Sequence, residues 1–143
     1  MKYHHCQVKH DPENGTFGDC LRACIASILD IDDVHDVPHF FSDGCKAHVG
    51  YERLRSWLAV RNLAPFYVAF PAECTLSEVL NIVGGDINQG IRYLLFGRVS
   101  ENSENHVVVC CGNDIEHDPA WAPERFTLPP TDCDWQIMVL CAI

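Results

Sequence analysis

The sequence predicts an α+β fold in which helices come first and an antiparallel sheet follows. Two observations carry this expectation. Up to Gly85, three segments repeat apolar residues at helical spacing, whereas from Ile91 onward the apolar runs are short, rich in β-branched and aromatic residues, and separated by turn formers. Length sets the scale: 143 residues suffice for one domain with a hydrophobic core and are too few to expect two, so residues 1–143 read as a single domain.

Gly18-Asp19 supplies a turn, and Cys20 to Leu29 then sets Leu21, Ala23, Cys24, Ile25, Ile28 and Leu29 at helical spacing, a stripe that suits a core. The acids and Pro38 of DIDDVHDVPHFF end that helix and leave a short connection. A second helix is expected from about Gly50 to Arg61, with Leu54, Trp57 and Leu58 on one face. APFYVAF then reads as a strand. In TLSEVLNIVGG, Thr75 and Glu78 have the spacing of a capping box and Gly84-Gly85 provide the stop, which predicts a third helix. The runs IRYLLFGRV, HVVVCCG, DIEHD and WQIMVLCAI complete the sheet.

Twenty acidic against ten basic residues leave a formal charge of −10, which repels nucleic-acid phosphates and anionic membrane surfaces, so neither is expected as a partner. No apolar run approaches the roughly 20 residues a membrane span needs. The start MKYHHCQVKHDPENG lacks the apolar centre of a secretory signal, so a soluble, cytoplasmic chain is expected. The nine cysteines are odd in number, which argues for reduced thiols rather than a disulfide framework. Cys110, Cys111 and Cys141 lie in strand-like apolar runs and read as small buried hydrophobes.

Cys20 is placed differently, at the mouth of a helix. A thiol is a weak nucleophile until it is deprotonated, and a helix N-terminus and a neighbouring imidazole are the two cheapest ways to achieve that. The helix end stabilises an anion by about 0.3–1 kcal/mol when exposed and about 2 when partly buried, so an imidazole is needed as well. Among eight histidines, His106 opens the strand HVVVCCG after a polar loop, at a sheet end that a substrate can reach. Beyond a turn at Gly112-Asn113, DIEHDP delivers Asp118, whose carboxylate suits the role of fixing the His106 tautomer and ring. With the turn near the midpoint of their 12-residue separation, a hairpin places His106 and Asp118 roughly opposite each other.

GDCLRACIASIL with the following DVPHF, and HVVV followed by HDP, resemble papain-like cysteine peptidases. The resemblance is nearest to the bacteriocin leader (double-glycine) peptidases of ABC exporters and to small phage and bacterial proteins of similar length. It implies a papain-like fold, with N-terminal helices packed on an antiparallel sheet, and a Cys-His-Asp triad that cleaves a peptide or isopeptide amide through a thioester acyl-enzyme. Cys20 is then the nucleophile, His106 the general base and later acid, and Asp118 the orienting residue. The family also implies an oxyanion hole made of the nucleophile's backbone N–H and an upstream glutamine side chain. Gln7, 13 residues before Cys20, is favoured for that donor, with Asn14 at an offset of six as the alternative. No cofactor and no metal is implied, the substrate is a peptide or protein, and peptidase, isopeptidase, deamidase and transglutaminase chemistry all stay open.

Other features have simpler readings. Cys24 packs in the core, and with Cys20 it lacks the C-x-x-C form of a redox pair. His117 points to the opposite face of its strand from Asp118 and reads as surface. His4, His5, His10 and Cys6 fit no tetrahedral zinc spacing and suggest a solvated N-terminal segment. Asp30, Asp32, Asp33 and Asp36 lack the glycine and final glutamate of a calcium loop and read as a solvated acidic turn. Trp121 and Trp135 suit a substrate groove or the core equally. Specificity is expected in loops such as Asp43–His48 and Ser100–Asn105. An alternative function of a different class is a catalytically inactive binding or inhibitory module that captures a host protein, since −10 suits a basic partner. Thiol redox or metal storage is a third.

Overall fold

The computed structural model describes residues 1–85 and 88–143. Its main elements are α1 (Cys20–Ile28), α2 (Ala47–Ala59), β1 (Leu63–Phe70), α3 (Leu76–Val83), β2 (Arg92–Gly97), β3 (His106–Cys111), β4 (Asp114–His117) and β5 (Trp135–Ala142). The five strands form one sheet in the order β1-β5-β2-β3-β4, and the pairs β2–β3, β2–β5 and β3–β4 are antiparallel. The architecture is therefore mixed α+β, as the sequence periodicity predicts. Among the described residues, no helix is long and apolar enough to cross a membrane.

The chain divides into two compact units, Met1–Phe66 with Pro119–Trp121 and Leu140–Ile143, and Tyr67–Asp118 with Ala122–Val139. In the first, α1 buries Leu21, Ala23, Cys24, Ile25 and Ala26, the stripe set by its apolar spacing. α2 begins at Ala47 rather than near Gly50, and Gly50 lies inside the helix, where the Phe41 ring occupies the place a side chain would need. Its core face is Leu54 and Leu58, while Trp57 is half-buried beneath the Arg61 guanidinium, 3.6 Å from the ring centroid. The N-terminal histidines are not simply solvated, since His4 Nε2 lies 2.7 Å from the Ile31 carbonyl and its backbone N–H donates to Ser27 Oγ.

In the second unit, one sheet face presents Tyr93 and Leu95, Val108 and Cys110, and Trp135 and Ile137, packed with Leu76, Val79 and Leu80 of α3 and with Phe126. The expected capping box is formed: Thr75 Oγ1 accepts from the Glu78 backbone and Glu78 accepts from the Thr75 backbone. At the other end of α3, a Cβ on Gly84 would sit 1.9 Å from the Gly112 carbonyl oxygen, so only glycine lets the helix end rest on the β3–β4 turn.

The opposite face of the sheet is also covered, with Leu94, Val107, Val109 and Met138 all buried. This overturns the surface reading of His117. It pairs with Val109 and is buried with that row, because a sheet covered on both faces leaves no solvent side for an alternating strand to use. The three strand cysteines also separate: Cys110 is buried in the α3-facing core, Cys111 is half-buried at the strand end, and Cys141 is exposed near the end of β5.

Gly97 sits opposite His106 on β2, and a Cβ there would meet Phe126 at 2.6 Å and Trp135 at 2.9 Å. Gly97→Ala should therefore cost about 1–3 kcal/mol of stability by overpacking, read as a lower urea midpoint with an unchanged slope. A midpoint equal to that of the parent protein would contradict this account of the packing.

Candidate active site

His106 and Asp118 are brought together. Nε2 of His106 lies 2.7 Å from Asp118 Oδ1, with both side chains mostly shielded (18% and 12% exposed). The Phe126 ring meets the imidazole edge-on, with centroids 6.0 Å apart at 85°. This rigid seat follows from the ladder, since His106 is paired with Gly97, whose missing side chain admits Phe126.

The register that joins them differs from a plain hairpin. Cys111 pairs with Asp114 across the turn, and an uninterrupted ladder would set Asp118 opposite Val107, pointing to the wrong face. A bulge intervenes. Cys110 pairs with Ile115 but Val109 pairs with His117, so Glu116 is an extra residue on β4. Continuing that register by one residue sets Asp118 opposite Val108, on the face of His106 and diagonal to it. Sequence spacing predicts a roughly opposite pair. The observed relation is a diagonal one, reached through the bulge.

Glu116 is held by Arg92, whose Nε and Nη2 donate to its two carboxylate oxygens at 2.7 and 2.9 Å. That guanidinium keeps the Glu116 carboxyl below the usual glutamate range. The bulge is thus pinned by a bidentate ion pair.

Cys20 and Gln7 belong to the first unit, His106 and Asp118 to the second. Cys20 is the first residue of α1, as its sequence position implies. Gln7 is brought to the residue just before it: the backbone N–H groups of Gln7 and Val8 both donate to Asp19 Oδ1, at 2.9 and 3.0 Å. The Gln7 side chain is exposed, and its Nε2 donates to the His5 carbonyl at 2.8 Å. A primary amide carries two N–H donors, and this bond uses one. Asn14 instead donates to Asp11 Oδ2 within its own turn. Of the two upstream residues, Gln7 is the one whose backbone is tied to the residue before Cys20.

The segment is also held on its other side. Cys6 N–H donates to the Pro119 carbonyl, and Trp121 Nε1 donates to the Cys6 carbonyl at 2.8 Å, with the His5 ring stacked on the indole at 4.3 Å. The two tryptophans thereby part company. Trp135 is fully buried in the core, and Trp121 is 74% exposed.

Two other thiols are held in their protonated form. Burial pushes Cys110 up to about 12, and Cys45 is raised by desolvation and by a hydrogen bond with Asp43. Among the described residues, no group of three or more His, Cys, Asp or Glu is arranged to hold a metal ion. A cavity of about 530 Å³ beside Arg98, Pro129 and Asp134 includes none of the candidate residues.

One functional candidate is not legible in the sequence. Asp19 is buried at 1% exposure, and its pattern in the chain looks like an ordinary turn residue or helix cap. Nothing local signals that its carboxylate reaches Gln7 and Val8.

No protein-family model, curated protein or solved structure matches this chain.

Proposed function

We propose that the protein is a papain-like cysteine hydrolase that cleaves a peptide or isopeptide amide in a peptide or protein substrate. Cys20 is the nucleophile, His106 the base and then acid, and Asp118 the orienting group. The observation that supports this best is the 2.7 Å contact between His106 Nε2 and Asp118 Oδ1 in a shielded setting. A carboxylate accepting at Nε2 draws the ring proton there, so the basic lone pair of the neutral imidazole lies on Nδ1.

The chemistry follows from those roles. Nδ1 takes the thiol proton of Cys20, and the sulfur attacks the substrate carbonyl. The tetrahedral oxyanion accepts hydrogen bonds from the Cys20 backbone N–H and the Gln7 amide, donors each worth about 10²–10³ in rate. The imidazolium then protonates the leaving amine, and water activated by His106 releases the acid from the thioester. A cytoplasmic setting keeps the thiol reduced.

Acylation by p-nitrophenyl acetate tests the reading without knowledge of the natural substrate. At neutral pH, peptide mapping should find Cys20 acetylated at least tenfold faster than the exposed Cys133 and Cys141, and Cys20→Ala should remove the p-nitrophenolate burst. Equal acetylation of all three cysteines would defeat the catalytic assignment.

A further inference from the structure

Asp19 occupies the N-cap position of α1, where an aspartate ordinarily accepts a hydrogen bond from its own helix's first turn. It makes no such bond. Its carboxylate is instead fully buried and committed elsewhere: Oδ1 accepts the backbone N–H groups of Gln7 and Val8, and Oδ2 accepts Nε and Nη2 of Arg22. A buried carboxylate is tolerated only when charge and hydrogen bonds are both met. Arg22, one turn along the helix, supplies the charge.

This arrangement has two consequences at Cys20. The helix's first-turn N–H groups are not taken by the preceding side chain. The backbone of Gln7, 13 residues upstream, is anchored to the residue bonded to the nucleophile. Two neighbouring N–H groups on one oxygen fix both the position and the direction of the segment, which a single bond would leave free to pivot. The Gln7 amide is in turn oriented by the His5 carbonyl.

We propose that Asp19 is a positioning residue: it builds the oxyanion hole of Cys20 by holding the Gln7 backbone at the helix mouth while leaving its own helix uncapped. The inference rests on the acyl-transfer reading above and deepens it. Arg22 neutralises Asp19, so the nucleophile is not set beside an unpaired negative charge.

Two reactions of the same thiol separate the roles. Alkylation by iodoacetamide displaces iodide at a saturated carbon and forms no oxyanion. In acylation by p-nitrophenyl acetate, sulfur bonds to the carbonyl carbon, the C–O bond to the aryl group breaks, and p-nitrophenolate leaves with the electron pair. The ratio of acylation to alkylation rates at Cys20 therefore reports the oxyanion hole alone. Asp19→Ala should lower that ratio about ten- to hundredfold, with Gln7→Ala giving a similar loss. In the Gln7→Ala background, Asp19→Ala should change the ratio less than twofold, because both act through one donor.

Should Asp19→Ala not fold, Asp19→Asn decides, since one amide oxygen replaces two carboxylate oxygens and the ratio should fall about fivefold. A ratio unchanged in Asp19→Ala or Asp19→Asn, or fully additive losses in the double variant, would overturn the positioning role while leaving the nucleophile assignment intact. Failure of Cys20 to outpace Cys133 and Cys141 in the parent protein would overturn both.

Discussion

His106→Ala should reduce the acylation of Cys20 by p-nitrophenyl acetate at pH 7 by about 10²–10⁴-fold, the range for loss of a positioned general base. The argument starts from Cys20 itself. Its place at the start of α1 supplies an electrostatic contribution of about 2 kcal/mol at most, too little to replace a proton acceptor. In the proposed mechanism the imidazole must then be held with the correct nitrogen basic, and the 2.7 Å contact of His106 Nε2 with Asp118 Oδ1 suits that role.

Deacylation makes the same demand, because water needs a base to attack the thioester. Any acetyl-Cys20 formed slowly in His106→Ala should therefore persist, and Asp118→Asn should show a smaller loss in both steps. Stopped-flow p-nitrophenolate release, with mass analysis of the thioester, would measure each. A burst and a turnover rate matching the parent protein would exclude His106 from the chemistry.

The largest expected effect on stability is at Trp135. The side chain is fully buried, packs in the cluster with α3 and Phe126, and donates Nε1–H to the Cys74 carbonyl at 2.8 Å. Trp135→Ala removes that volume and leaves the Cys74 carbonyl without its partner, so a loss of about 3–5 kcal/mol is expected. Trp135→Phe should recover most of the packing and retain a loss of about 1 kcal/mol for the hydrogen bond. Equilibrium urea unfolding distinguishes these. A loss below 1 kcal/mol in the alanine variant would mean that the core closes around the gap.

Trp135 illustrates a limit of sequence reasoning. An indole carries the same apolar bulk at residue 121 and at residue 135, and flanking residues do not separate core from surface. What separates them is the company each keeps: Phe126 and α3 surround Trp135, whereas Trp121 is pinned through its Nε1 to Cys6 and keeps most of its ring in solvent. His117 makes the same point in reverse. Alternation along β4 sets His117 on the face away from Asp118, and that face is itself buried.

Local chemistry did determine much of the fold. Apolar spacing defined α1, the Thr75–Glu78 pair with Gly84 bounded α3, and the β-branched runs between turn formers marked the sheet, because each signal acts within a few residues. The nomination of Cys20, His106 and Asp118 also came from local cues: a cysteine at a helix mouth, a histidine opening a strand, and an acid beyond the turn. The geometry that gives those residues meaning depends on non-local contacts. One extra residue at Glu116, held by Arg92 on another strand, turns Asp118 to the face of His106, and without it the same spacing would point the carboxylate away. Asp19 reaches back to Gln7 only because the chain has folded the N-terminal segment against α1. Strand register has a period of two, and a hydrogen bond requires atoms within about 3 Å. Both are settled by a shift of a single residue, a distinction that composition and periodicity are too coarse to carry.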